Sequence, residues 1–370
     1  MVVDNQKDVL VISHSNFERD GRLKELVKIG QLLGRVSLIS QSTDGQKKQN
    51  NHYVINGKRN RSYLYFILFS LQVARRLQKD CIVFADNRKS ILPAILIRAI
   101  HPRVLLIHDS RELYIMKDVK HLSGKIGCVI EYVFLKKFDL ILCANKERAR
   151  IMKYVHKLKE LPIVFENIRK LENTIHKDLV ETHNKYNFLR TEKRLKVIST
   201  SGFAFERGGD ELINALSFFS EEMVLYIFGS ATKLDIEKFH RIQGNDNITN
   251  IVYIGTVNLN ELQFCIQNCD IGAVFYHKKD LNNKYCASGK VYEFIFEGIP
   301  IVCSDNIPLV TFCNTYKVGV ADSSFATSLK KMADNYEYYR NNAIKTAESI
   351  NIEEYRDQIA KEIRNRILTR

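Results

Sequence analysis

The sequence predicts an α/β protein made of two doubly wound parallel sheets in tandem. Short apolar runs that read as strands alternate with helical stretches through both halves of the chain. A polar, charged stretch from 171 to 194 interrupts this alternation once, and 370 residues are too many for one ordinary core. Hydrophobic residues at 45% and charged residues at 26% are the balance of a folded chain, which excludes disorder, collagen-like repeats and a coiled coil.

The elements follow in order. Asp8–Ser13 reads as a buried strand, Arg22–Leu33 as a helix closed by Gly34, and Val36–Ser40 as the next strand. Cys81–Ala85, Val104–Ile107, Leu140–Ala144 and Pro162–Phe165 complete the first set. After the break, Lys196–Thr200, Val224–Phe228, Ile251–Ile254, Ile271–Phe275 and Ile301–Ser304 repeat the pattern, and Ile352–Leu368 is a charged amphipathic helix. The expected domains are 1–175 and 176–351, both Rossmann-like, with helix 352–370 packing back on the first. Ligands of such sheets sit beyond the carboxyl ends of the strands, here in the cleft between two of them.

No apolar run reaches the roughly 18 residues that span a bilayer, and the start Met1-Val2-Val3-Asp4 lacks a signal-peptide pattern. Eight cysteines occur without a Cys-x-x-Cys pair, so neither a disulfide framework nor a metal site is expected, and the setting is a reducing cytoplasm. Charge is divided unevenly. Residues 1–170 hold 32 Lys and Arg against 16 Asp and Glu, a net +16, and the other 200 residues hold 24 against 26. The first half therefore points to an anionic partner.

Neither half carries the G-x-G-x-x-G of dinucleotide enzymes, and Ser288-Gly289-Lys290 lacks both the leading glycine and the following Ser or Thr of a phosphate-binding P-loop. Two other segments suit a phosphorylated ligand. Ser201-Gly202-Phe203-Ala204-Phe205-Glu206-Arg207-Gly208-Gly209 opens a helix, so glycines, a helix start and a fixed cation coincide. In Ser288-Gly289-Lys290-Val291-Tyr292-Glu293, Lys290 and Glu293 share a helix face one turn from its start, and Gly298-Ile299-Pro300 ends the helix. A lysine there neutralises phosphate, and a glutamate one turn deeper accepts hydrogen bonds from a ribose diol.

The pattern Lys290-x-x-Glu293-x4-Gly298-x-Pro300-x-Val302 resembles the nucleotide-binding signature of the retaining glycosyltransferases of family four, enzymes of bacterial polysaccharide type with the GT-B fold. Similarity runs along nearly the whole chain, through Asp20-Gly21-Arg22, His108-Asp109-Ser110-Arg111-Glu112-Leu113, Phe138–Asn145, Asn167, Arg207-Gly208, Asn250–Gly255 and Cys269–Gly272. The resemblance implies transfer of a sugar from a nucleotide-diphosphate donor to a hydroxyl of a glycan or lipid-linked acceptor, with retention and without a metal or other cofactor. It implies that Arg207 and Lys290, with Gly202, Ser288 and Gly289, bind the donor diphosphate. Glu293 would hold the ribose, and Gly255 and Thr256 would lie beside the base. His108 would sit near the transferred sugar, with Asp20, Arg22 and Asp109 on the acceptor side. The chain departs from the family at Tyr285, where a second glutamate is frequent, and at Phe203, where an arginine is.

Between Asp44 and Asp80 there are eight basic residues and no acid: Lys47, Lys48, Lys58, Arg59, Arg61, Arg75, Arg76 and Lys79. They flank the apolar run Tyr63–Leu71, so residues 45–79 are expected to dock on an anionic membrane surface at the inner face of the cell membrane. Two other classes compete. A nucleotide-sugar epimerase on the same fold would need clustered acid and base groups, which are not evident. A nucleic-acid binder would need a recognisable binding motif beside the basic charge, and none accompanies it.

Overall fold

The computed structural model describes residues 7–42, 51–56, 62–171, 179–246 and 249–368. It forms two compact units, Met1–Asn167 with Asn351–Arg370, and Ile168–Ile350. The expected junction at 175/176 lies outside the described residues, as do Lys47, Lys48, Lys58, Arg59 and Arg61.

Unit 1 carries β1 (Asp8–Asn16), β2 (Arg35–Ser42), β3 (His52–Asn56), β4 (Ile82–Asp86), β5 (Leu105–Ser110), β6 (Leu140–Cys143) and β7 (Ile163–Val164). All pair in parallel, in the order β3-β2-β1-β4-β5-β6-β7. Its helices are α1 (Gly21–Leu33), α2 (Tyr63–Ala74), α3 (Ile91–Ile100), α4 (Leu122–Phe134) and α5 (Lys146–Val155). Asp20 caps α1 by accepting the Leu23 N–H at 3.0 Å. Gly34 closes that helix in extended backbone, and glycine is needed there for space: a Cβ would lie 2.0 Å from the Lys7 carbonyl oxygen.

Unit 2 carries β8 (Leu195–Ser199), β9 (Met223–Phe228), β10 (Ile251–Gly255), β11 (Ile271–Val274), β12 (Ile301–Ser304) and β13 (Gly319–Asp322), in the order β10-β9-β8-β11-β12-β13. Around them run α6 (Leu179–Lys185), α7 (Asn187–Thr191), α8 (Gly209–Ser217), α9 (Lys233–Asp246), α10 (Leu259–Gln267), α11 (Leu281–Lys284) and α12 (Gly289–Phe296). Next come α13 (Ile307–Tyr316), α14 (Phe325–Asp334) and α15 (Tyr336–Ser349). Side chains alternate across β9: Val224, Tyr226 and Phe228 join the core on one face, and Met223, Leu225 and Ile227 the core on the other. Such two-sided burial is what a run of six apolar residues demands of a parallel sheet.

The last helix, α16 (Ile352–Leu368), belongs to unit 1 and packs on α1. Ile359, Ala360 and Ile363 enter the core formed by Val9, Val11, Leu23, Leu26 and Ile107. Arg356 Nε donates to Glu25 Oε2 at 2.6 Å beside that contact. Among the described residues no helix is long and apolar enough to cross a membrane.

In each sheet the strand order reverses direction once, between β1 and β4 and between β8 and β11. Loops that leave the two strands at such a point diverge and open a crevice at the carboxyl edge.

Candidate donor and acceptor sites

In unit 2 the crevice lies between the loop after β8 and the loop after β11. The first loop is forced open by glycine. Gly202 (φ +63°) passes so close to its neighbour that a Cβ would meet the Ser230 carbonyl oxygen at 2.2 Å. Its N–H donates to the Phe228 carbonyl at 2.7 Å. Gly229 (φ +121°) has no room for a Cβ, which would sit 2.6 Å from the Gly202 nitrogen, and its own N–H donates to the Gly255 carbonyl at 2.8 Å. Gly202, Gly229 and Gly255 thus stitch the ends of β8, β9 and β10 into a bare backbone edge. Thr256 follows Gly255 and is exposed.

Arg207 ends the first loop, exposed, with its guanidinium carbon 5.6 Å from the ring centroid of Tyr276, which follows β11. That contact joins the two loops across the reversal point. Lys290 stands in the first turn of α12, half-buried, after Ser288 and Gly289. Burial pushes its ammonium below the ordinary lysine range; Glu293 opposes this, while Arg169 and Arg207 push the same way. The three cations are therefore electrostatic neighbours. Glu293 is buried one turn further on, and Arg169 closes on its Oε1 as an ion pair.

Several polar atoms here are buried without a hydrogen-bond partner: Ser288 Oγ, Arg169 Nε and, at the end of β8, Ser199 Oγ and Thr200 Oγ1. Unpaired donors and acceptors cost free energy. Together with three cations against one carboxylate, they fit an anion with many acceptor oxygens. The structure thus gathers Arg207, Ser288, Gly289, Lys290 and Glu293, and adds Arg169 and Gly229, which sequence reasoning missed. Arg169 lies at the unit boundary, 124 positions before its partner, and only its nearness to Asn167 hinted at a role. Phe203 is buried against Phe205, Phe239 and Tyr253, with ring centroids 5.3, 4.7 and 4.6 Å away, so this departure from the family pattern is a core residue.

Unit 1 corrects several expectations. β5 runs past His108 and Asp109, which pair with Ala85 and Asp86 of β4, so neither projects from a strand end. Alternation sends them to opposite faces. His108 is fully buried, tilted against Phe138 at 5.3 Å, with neither ring nitrogen hydrogen-bonded. Burial pushes its pKa down to about 4, against a smaller opposing effect of Asp109. It does not line an open surface. Asp109 faces α1 and takes a two-pronged ion pair from Arg22, Nε to Oδ2 at 2.8 Å and Nη2 to Oδ1 at 2.6 Å. Arg22 also donates to Phe165 O at 2.8 Å and Asn167 Oδ1 at 2.6 Å, so it pairs with Asp109 and not with Asp20. Asp20 instead pairs with Arg111, which also holds Asp86. Asp20, Arg22 and Asp109 are thus bound to protein partners.

The reversal point between β1 and β4 opens a cavity of about 900 Å³. His14 and Ser15 from β1, Arg88 and Lys89 after β4, and Tyr63 and Tyr114 border it. Arg88 is anchored by Glu131, Nε to Oε2 at 2.8 Å, and lies 5.1 Å from the Tyr114 ring centroid. Burial, then Lys89, push His14 down to about 4, so its imidazole is neutral near pH 7. The apolar run expected to dock on a membrane forms α2, whose Phe66, Ser70, Val73 and Ala74 face the core, which leaves Leu64 and Leu68 exposed.

No family model matches the chain, and no curated protein matches its sequence. Solved structures do resemble it. Sucrose-phosphate synthase from Thermosynechococcus elongatus superposes with a TM-score of 0.75 at 12% identity, over 99% of this chain and 100% of that one. HepE from Anabaena, in complex with UDP and glucose, gives 0.71 at 15% identity over 97% and 100%. WaaG, a glycosyltransferase involved in lipopolysaccharide biosynthesis, gives 0.65 at 13% identity over 96% and 99%. With parallel sheets of seven and six strands flanked by helices, the chain has the GT-B fold of these glycosyltransferases.

Proposed function

We propose that unit 2 binds a nucleoside-diphosphate sugar and that the protein transfers the sugar to a hydroxyl of a glycan or lipid-linked acceptor, with retention. The observation that carries this reading is the convergence of Arg169, Arg207 and Lys290 on a glycine-edged crevice at the strand-order reversal of the second sheet. The UDP and glucose bound to HepE support it by analogy of fold. In this reading the cations grip the diphosphate, Glu293 takes the ribose hydroxyls, and Gly255 and Thr256 flank the base. The free, buried state of all eight cysteines suits a reducing compartment such as the cytoplasm.

The chemistry asked of the site is leaving-group stabilisation. As the bond from the anomeric carbon to the diphosphate oxygen breaks, negative charge grows on the diphosphate. Preorganised donors in a dry crevice are worth roughly 3–4 kcal/mol each at such a position. In this reading Arg169, Arg207 and Lys290 supply the positive charge that offsets it. The acceptor oxygen forms the new bond on the face that the diphosphate leaves, and its proton passes to a diphosphate oxygen. The acceptor is assigned to the cavity of unit 1, where Arg88 and Lys89 offer charge and Tyr63 and Tyr114 offer sugar-stacking faces.

Incubation with UDP-, GDP- and ADP-sugars tests the reading. Release of free nucleoside diphosphate, with sugar appearing on an acceptor or on water, is expected for one of them. Recovery of an isomerised nucleotide sugar would assign an epimerase instead, and no turnover and no binding of any would refute the reading.

A further inference from the structure

α4 is amphipathic in the reverse sense for a helix that faces water. Gly127, Cys128 and Glu131 make its buried side. Its outer side carries Leu122, Ile126, Val129 and Val133, spaced four, three and four apart, so they fall within an arc of roughly 60° at 3.6 residues per turn. They are 75%, 52%, 46% and 48% exposed. α3 packs beside α4 and α2 beside α3, and α2 adds exposed Leu64 and Leu68. Single exposed apolar residues are ordinary; an aligned row of four on one helix is not.

The border of this row is basic. Lys117, Lys120, Lys125, Lys136 and Lys137 are all exposed. The acids between 117 and 137 are Asp118 and Glu131, and Glu131 is buried on Arg88. The Lys136 ammonium lies 5.4 Å from the Tyr132 ring centroid and that of Lys137 5.1 Å from the Phe134 ring centroid, stems laid along apolar surface with the charge at its edge. Protein interfaces are depleted in lysine. An apolar strip rimmed by lysines and aromatic rings matches the boundary between acyl chains and anionic headgroups.

We infer that α4 is an in-plane docking helix that lays unit 1 on an anionic lipid bilayer. Leu122, Ile126, Val129 and Val133 enter the acyl boundary, and the five lysines stay at headgroup depth. The same helix walls the unit 1 cavity through Gly124, Ile126, Gly127 and Ile130, so docking sets the cavity beside the headgroup layer. The inference stands on unit 1 alone and survives a failure of the sugar-transfer reading. It also moves the membrane-facing element from residues 45–79, where α2 gives one side to the core, to α4.

The chain contains no tryptophan, so Val129→Trp places a single tryptophan on the row, excitable apart from the tyrosines. Flotation with vesicles of phosphatidylglycerol and phosphatidylcholine, and with phosphatidylcholine alone, reads binding directly. The wild-type protein is expected to float with the anionic vesicles at low salt and to bind far less to neutral vesicles or at high salt. Val129→Trp emission is expected to shift to the blue on binding and to be quenched by brominated lipid. Leu122→Ser/Val129→Ser/Val133→Ser changes only exposed positions; it is expected to keep its melting temperature and lose roughly tenfold or more in vesicle affinity. Lys125→Glu/Lys136→Glu is expected to lose affinity at low salt. Wild-type protein that ignores anionic vesicles, or a triple-serine variant that floats as well as wild type, overturns the inference. So does a concentration-dependent dimer that the triple variant abolishes while vesicles bind neither protein, since the row would then be covered by a second copy.

Discussion

Replacing Lys290 by methionine keeps the length of the side chain and deletes its ammonium, and the site predicts effects of opposite sign on stability and on binding. In the free protein burial, Arg169 and Arg207 all act against the lysine charge, and only Glu293 supports it. Lys290→Met relieves that repulsion, so the melting temperature stays or rises by roughly 1–3 °C. Because the folded pKa lies below the unfolded one, the lysine makes wild-type stability increase with pH across that interval, and the variant loses this slope. With a nucleoside diphosphate bound, the ammonium becomes a charge-assisted donor worth about 1.5–3 kcal/mol, so Kd rises by about 10- to 150-fold. Transfer suffers more, with kcat/KM down by about 100- to 1,000-fold, since charge grows on the departing diphosphate. Calorimetric titration in two buffers of different ionisation heat adds a signature: the anion raises the lysine pKa, so alkaline binding takes up protons in wild type and not in the variant. Unchanged affinity refutes the placement of the site, and so does a loss of affinity that only tracks a loss of fold.

Gly229→Ala forces a left-handed backbone and a Cβ against the Gly202 nitrogen, so we expect a loss of about 1–3 kcal/mol in urea denaturation together with lost nucleotide binding. Arg22→Met strips the buried Asp109 of its two-pronged partner and leaves it only Arg111, at 4.0 Å; about 3 kcal/mol of stability should go, while nucleotide Kd measured on the folded protein stays within about twofold. His108→Phe tests the correction to that residue. The wild-type histidine is depressed from 6.5 to about 4, so its contribution is full above pH 6.5 and is lost as pH falls towards 4, roughly 3 kcal/mol in all. Thermal denaturation of the variant should lack that acid limb, and the rate of the proposed sugar transfer should remain.

Much of the fold was legible because its punctuation is chemical. Runs such as Val9–Ile12 and Met223–Phe228 are apolar without alternation, as strands covered on both faces must be. That same uniformity hid the direction of each side chain. Nothing in Leu105–Ser110 says that Asp109 turns to α1 and His108 to the other face, and the contrast of ligand-facing with buried residue rests on that choice. β3 and β13 escaped notice because His52–Asn56 is polar at both ends and Gly319–Asp322 starts on a glycine and ends on a carboxylate, which leaves little apolar run to read. At the candidate donor site, Lys290, Glu293 and Arg207 were readable from spacing within single loops. Arg169 and Gly229 were not, since their meaning comes from partners far along the chain. The row on α4 is visible as periodicity, but an apolar stripe reads by default as core, and only the fold shows it turned outward.

The most direct test of the central claim is a crystal structure of the protein soaked with the nucleoside diphosphate that stabilises it most in a thermal-shift screen. The account predicts the diphosphate at the carboxyl edge of β8 and β11, its oxygens within hydrogen-bond reach of Lys290 and Arg207 and its ribose at Glu293. A nucleotide bound elsewhere on the chain, or in unit 2 with neither cation in contact, would contradict it.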